Sequence, residues 1–386
     1  MENKYIYLDH AATTPVRKEV MDAMIPFFTE SFGNTLSVHK YGRDARKAVD
    51  IAREQVAKAI NCDSSQVYFT AGATESDNWG IKGYAYAHKS KGNHIITSQV
   101  EHHAVLHTCE KLEKEGFEVT YLPVDEHGSI RIEDLKDAIT DKTILVTIMM
   151  ANNEIGTIMP VKEIGAVCKE HNIVFHCDAV QAVGKIPIDV QNMNISMLAI
   201  SSHKFYGPKG VGAMYIKKGI KLDRLIEGGA HEKNRRAGTL NHAGIVGMGK
   251  AIELVVEEMD EECARQTKLR DALIKGMTER IPEVQLNGHP TKRLCNNVNM
   301  SYRYVEGEAL LLSLDMMGIG VSSGSACTSG SLDPSHVLLA IGLSHEIAHG
   351  SVRYSLGHMS TMEEVEYTID SMATIVERLR AMSPLG

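Results

Sequence analysis

The chain has 386 residues, with 41 Lys and Arg against 49 Asp and Glu, a formal charge of −8, and 43% hydrophobic residues. This composition excludes a disordered or fibrous chain. The mildly acidic balance excludes the clustered positive field that direct nucleic-acid or anionic-membrane binding requires. A chain of this length holds one large domain and a second, smaller one, each able to bury a core. The opening MENKYIYLDHAATTPV lacks a basic stretch followed by an apolar one, and no apolar run is long enough to cross a bilayer. The expectation is a cytoplasmic protein with no membrane partner. The seven cysteines are scattered and form no CxxC, so they are not a disulfide framework. Cys62, Cys109, Cys168, Cys177, Cys263 and Cys295 read as core thiols.

Along the chain, Thr14 ahead of Pro15 and Thr74 ahead of Glu75 and Asp77 mark helix starts. From about Val67 to Lys217 short β-branched runs (QVYFT, HIITS, EVTYLP, TILVTIMM, NIVFHCDA) alternate with helical stretches. This is the rhythm of a mostly parallel sheet covered by helices. From Asn241 one long amphipathic helix is expected to run to Pro282 and bridge two domains. After it VQLNGHP, CNNVNMSY, EGEALLLSLDMMGIGVSS and GSVRYSLG alternate again and close on the helix TMEEVEYTIDSMATIVERLRAM, a second and smaller α/β unit. SSGSACTSGSLDP, from Ser322 to Pro334, is a loop by composition and carries Cys327.

Two textual motifs carry little. GIVGMGKA has the spacing of a phosphate-binding loop, but Ala251 stands where the metal-binding hydroxyl belongs and no strand precedes it. HEIAH, His345 to His349, fits a zinc hydrolase, yet Gly350 and a strand follow at once. Cys168, His171, His176 and Cys177 read as a helix end running into a buried strand.

Polar residues at strand ends say more. Asp178 follows an apolar run, with Gln181 three residues on, and the carboxyl ends of parallel strands are where open α/β sheets bind ligands. A carboxylate there needs a cationic partner such as a protonated ring nitrogen. MLAISSHKFYGPKG sets Ser201, Ser202, His203 and Lys204 at the end of another apolar strand. A desolvated lysine in such a place forms Schiff bases readily. By itself the stretch reads equally as a surface turn with a solvated lysine.

Taken together and in order, IYLDHAATTP, FTAGATESDN, EHHAVL, ANNEIGT, HCDAVQAVGK, SSHKFYGPKG, RAGTLN and SSGSACTSG resemble the NifS/IscS-type (group I) cysteine desulfurases of the type I pyridoxal-phosphate fold, nearly end to end. The resemblance implies an α/β transferase fold with a mostly parallel seven-stranded sheet in a large domain, residues 15–258. The smaller α/β domain would comprise residues 1–14 and 259–386 and carry the Cys327 loop. It implies a homodimer converting L-cysteine to L-alanine and holding the sulfur as a persulfide on Cys327. Delivery would be to an Fe–S scaffold protein of the IscU/NifU type or a tRNA-thiolation enzyme. Lys204 becomes the Schiff-base lysine and proton shuttle, Asp178 the partner of the pyridinium nitrogen, and Gln181 a hydrogen bond to the ring's phenolic oxygen. Ala73, Thr74, Ser201, Ser202 and His203 would hold the phosphate, with Thr239 reaching in from the second subunit. His102 would stack on the ring, with His103 the neighbour it could be confused with. Asn153 and Arg353 would take the substrate carboxylate, arginine because its planar fork matches a carboxylate. Two departures from the family pattern stand out: Gly33 to Ser37 reads GNTLS where relatives read GNPSS, and Pro384-Leu385-Gly386 lacks the longer tail of IscS-type members, which leans toward the NifS type. A selenocysteine lyase or another enzyme of the same fold would keep Lys204 and Asp178 but has no use for Cys327.

Overall fold

The computed structural model describes residues 5–323 and 334–382; Cys327 lies outside the described residues. Twelve strands are described: β1 (Ile6–Tyr7), β2 (Val67–Thr70), β3 (His94–Ser98), β4 (Glu118–Leu122), β5 (Thr143–Thr147), β6 (Val174–Asp178), β7 (Met197–Ser201), β8 (Gly212–Ile216), β9 (Val284–Leu286), β10 (Asn297–Tyr302), β11 (Ile319–Gly320) and β12 (Ser351–Ser355). Seven of them form one sheet in the order β2-β8-β7-β6-β5-β3-β4. Only β8 runs against its neighbours, pairing antiparallel with β2 and β7, so the mostly parallel seven-stranded sheet expected from the sequence is present.

Strand periodicity explains why this sheet is covered on both faces. Phe69, Ile96, Val146, Phe175, Leu198 and Tyr215 enter one apolar cluster, while the alternating Tyr68, Ile95, Leu145, Val174, Met197 and Met214 enter another. Helices Lys40–Ala59, Val161–Glu170 and His242–Glu257 cover the first face, and Ala73–His88 with His103–Glu113 the second. A third cluster joins Leu8 to Leu273, Met300, Tyr354 and Met372 around the antiparallel sheet β12-β10-β9. The start of the chain belongs to this smaller core, because β1 pairs in parallel with β11.

Three local expectations are corrected. The long helix after Asn241 is two helices, His242–Glu257 and Met259–Arg280, divided at Glu258, which has a φ of −92° and a ψ of −2°. Glu258 is held there by both guanidinium nitrogens of Arg17, at 2.6 and 3.0 Å. Thr14 caps no helix: the helix begins at Lys18, and the Thr14 hydroxyl donates to the His203 carbonyl at 3.0 Å and accepts from the Tyr206 amide at 2.8 Å. The cap of Ala73–His88 is Gly72, not Thr74, with φ of +155° and no side chain to bond the first amides. HEIAH forms a five-residue helix ended by Gly350, and among the described residues no group of three or more His, Cys, Asp or Glu is arranged to hold a metal ion.

Candidate active site

The carboxyl ends of β6 and β7 open on a cavity of about 610 Å³. Asp178 ends β6 and Ser201 ends β7; the 3-10 turn Ser202–Lys204 then brings Lys204 to the cavity wall. Lys204 Nζ donates to the carbonyls of Ala11 and Ala12, both at 2.7 Å, and Gln181 Nε2 donates to Ala11 O at 3.0 Å. His203 Nδ1 lies 3.1 Å from Thr13 Oγ1. The segment from Ala11 to Thr13 is thus tied across the strand ends by the residues that follow them.

Burial sets the charge pattern. It raises the Asp178 carboxyl out of the usual range, opposed by the Val180 amide, which donates to Oδ1 at 2.9 Å, and by the charge of Lys204. Asp77 is raised well above its ordinary value by burial and by the neighbouring Asp178 and Glu101. Burial lifts Glu101 to about 8 although it accepts from Ser98 Oγ and Met149 N. Of these three buried carboxyls only Asp178 is drawn down by the lysine, so it is the one that ionises most readily. Behind Asp77, at 3.5 Å from its Oδ1, stands Nε2 of His176; burial lowers this imidazole to about 3, and Nδ1 lies 2.9 Å from Thr147 Oγ1.

His102 lines the cavity and caps the helix His103–Glu113, its Nδ1 accepting the Ala104 amide at 3.1 Å. That bond puts the remaining ring proton on Nε2, and burial with the Lys204 charge lowers the imidazole to about 4. His103 turns away, stacking near His107 and His336 at 4.8 Å each. Of the two neighbours, His102 is the one that lines the cavity.

On another side the helix Ala73–His88 starts at the cavity, with Ala71, Gly72, Ala73 and Thr74 on the wall. Gly212 lets it come close: a Cβ there would lie 2.8 Å from Gly72 Cα. Glu75 in the first turn faces back, accepting the Ala71 amide at 2.8 Å and pairing with Arg236 at 2.8 Å, so its charge is already matched. An uncapped helix start beside Ser201 and His203 is an anion cradle.

The opposite wall comes from the smaller core. Arg353, only 3% exposed, pairs with Asp9 Oδ1 at 2.9 Å and donates to Asn153 O at 3.1 Å, while its Nε has no partner among the described residues. Its backbone pairs with Ser322, and on the far side of residues 324–333 Ser335 donates to the Glu154 carboxylate and His336 Nε2 lies 3.0 Å from Glu101 O. Both flanks of the Cys327 segment are therefore fastened to neighbours of Arg353, Asn153 and His102.

The cavity brings together Ala73, Thr74, His102, Asn153, Asp178, Gln181, Ser201, His203, Lys204 and Arg353. Two candidates stand outside it. Ser202 is fully buried and turned toward Gly207, and Thr239 is exposed on this chain. Residues not singled out from the sequence are Asp9, Ala11, Ala12, Asp77 and Glu154. Asp9 and Ala11 sit inside the quoted IYLDHAATTP stretch, and a charged residue amid apolar ones was the available signal.

The fold and the cavity define an α/β transferase with a cofactor-sized site at its strand ends. The chain matches aminotransferase class-V over residues 6–368. It is 59% identical over 385 residues to the Clostridium botulinum (strain Hall) protein named cysteine desulfurase IscS, covering 99% of this chain and 97% of that one. A solved NifS-like protein superposes with a TM-score of 0.92 at 38% identity, covering 97% of this chain and 100% of that one. A second, described as SspA in complex with cysteine, superposes at 0.82 with 39% identity, covering 91% and 98%. The chain belongs to the aminotransferase class-V family and, within it, to the cysteine desulfurases. Members use pyridoxal phosphate, and the residues present fit it: a glycine-capped helix N-terminus for a dianion, a buried carboxylate for a ring nitrogen, and a lysine amine between them.

Proposed function

We propose that this chain takes the sulfur of L-cysteine, releasing L-alanine and leaving a persulfide on Cys327. The observation that carries this reading is the convergence of Lys204, Asp178 and Arg353 on one cavity. Pyridoxal phosphate, when bound, supplies an aldehyde for amines and a ring that withdraws electrons. Asp178 would hold a proton on the ring nitrogen, Gln181 would orient the phenolic oxygen, and the helix start with Ser201 and His203 would hold the phosphate. His102, whose imidazole is lowered by burial and by the Lys204 charge, would face the ring without adding charge. The Arg353 fork and Asn153 seat the substrate carboxylate, which exchanges with or joins Asp9 on the guanidinium. Lys204 Nζ leaves its two carbonyl partners to move protons at the substrate carbon. The Cys327 thiolate attacks the substrate sulfur; the carbon–sulfur bond breaks, a sulfur–sulfur bond forms, and the carbon takes a proton to give alanine.

The two units, 15–258 against 1–14 with 259–386, meet at this cavity. A second copy completes the phosphate cradle through Thr239, and the exposed Ile25, Phe28, Phe32, Leu36 and Val38 supply an apolar face for the dimer. The sulfur leaves for an Fe–S scaffold protein or a tRNA-thiolation enzyme in the cytoplasm. No described helix is long and apolar enough to cross a membrane.

The test is an absorption spectrum of the purified protein with its cofactor before and after L-cysteine, with alanine and persulfide quantified. A shifted band with alanine and persulfide in equal amounts supports the reading. A protein that stays colourless when pyridoxal phosphate is supplied overturns it, and C327A releasing sulfide at the parent rate overturns the acceptor.

A further inference from the structure

Cys263 lies on the second turn of the helix Met259–Arg280, and Cys295 stands just ahead of β10, far from it in sequence. The fold brings their sulfurs to 3.4 Å, with the Cys295 S–H directed at Cys263 Sγ. Cys263 also lies 3.8 Å from the Gly184 carbonyl and 3.6 Å from that of Lys185. Cys295 is buried against Gln266, whereas Cys263 is half-buried. Neither sulfur lines the active cavity, and the desulfurase chemistry uses neither.

We propose that Cys263 and Cys295 are a second reactive thiol site, a dithiol that a hydroperoxide converts to a disulfide. Cys263 is the attacking sulfur. The hydrogen bond from Cys295 favours loss of its proton, as does the nearby Lys185 charge, against burial, Glu262 and Asp260; the net direction is down. Burial pushes the other described cysteines, Cys62, Cys109, Cys168 and Cys177, the opposite way. In the first step Cys263 Sγ attacks a peroxide oxygen, the O–O bond breaks, and a sulfenic acid and one water result. In the second, Cys295 Sγ attacks Cys263 Sγ, the S–O bond breaks and a second water leaves. Two thiols have lost two electrons and hydrogen peroxide has become two waters. The two sulfurs, 3.4 Å apart, are already in contact, and a disulfide bond would bring them to about 2.05 Å. The product ties the helix to the segment before β10 and withdraws Cys263 from the turn that follows Gln181.

The experiment uses C327A holoenzyme, so that the acceptor thiol is silent. It is titrated with hydrogen peroxide, alkylated and digested for mass spectrometry. The expected result is a cross-linked peptide joining Cys263 to Cys295, reversed by dithiothreitol, appearing on the order of tenfold faster than oxidation of Cys62. C263S and C295S should each abolish it and keep the cofactor spectrum. Full alkylation of both thiols after Cys62 has reacted, or sulfinic acid on Cys263 without a cross-link, overturns the proposal. Because the readout is covalent, it stands or falls independently of the desulfurase reading.

Discussion

The two walls of the cavity are built differently. On the large-sheet wall, Asp178, Gln181, Ser201, His203 and Lys204 come from two short stretches that each end a strand, and three of the five bond to the segment from Ala11 to Thr13. On the facing wall, Asn153 and Arg353 come from separate stretches, with Asp9 and Ser322 holding Arg353 from two more, and the arginine is oriented by an ion pair rather than by its own neighbours in sequence. A strand end can present several side chains in a row to one site, because the chain turns there while the sheet fixes its direction. A buried guanidinium has no such local rule, and it is stable only where remote groups match its charge. The sheet wall is therefore built from local sequence, and the facing wall from contacts between distant segments.

The sharpest way to break this comparison is K204A. Turnover of L-cysteine should fall by at least about 10³-fold, with no spectral shift on adding the substrate; retained alanine production removes Lys204 from the chemistry. Next come the two residues of the facing wall. R353K should raise KM for L-cysteine by roughly 10- to 100-fold, since a lysine cannot reproduce the fork. D9N should raise it by several-fold through loss of orientation. Both should leave the cofactor spectrum unchanged, and a spectral change in either would show that the walls are not independent.

A smaller effect separates the walls from the ground beneath them. Glu101 is lifted from 4.5 to about 8 by burial. A carboxyl with its folded value raised favours the folded state fully below the unfolded value, and this contribution is lost as pH rises through the folded one. The wild-type melting temperature should therefore fall relative to that of E101Q between pH 4.5 and about 8. Parallel profiles would show that Glu101 is already paired. The smallest change expected is E258A at the helix break, about 1 kcal/mol or less of stability because Glu258 is 38% exposed, with kcat unaltered.

How far each wall could be read from the chain follows the same division. Lys204 and Asp178 stood out because an apolar strand followed at once by charged residues is a local pattern, but that pattern fitted a surface turn equally well, and the family resemblance singled them out; the sheet places both at the cavity. Gly72 as the helix cap was not. A φ of +155° depends on how closely β8 approaches, whereas Thr74 and Glu75 offered the stronger local capping signal. The break at Glu258 escaped for a similar reason. The amphipathic pattern runs on through it, and only the Arg17 side chain, brought from the other end of the large unit, holds the bend.

The amino-acid sequence by itself determined the strand and helix alternation, the sheet covered by helices and the polar residues at its strand ends, since periodicity and turn chemistry act over a few residues. Tertiary structure alone decided which of His102 and His103 faces the cavity, that Asp9 holds Arg353, and that Cys263 meets Cys295. Each is a contact between distant segments, set by how the smaller core docks on the larger sheet rather than by any residue's neighbours along the chain.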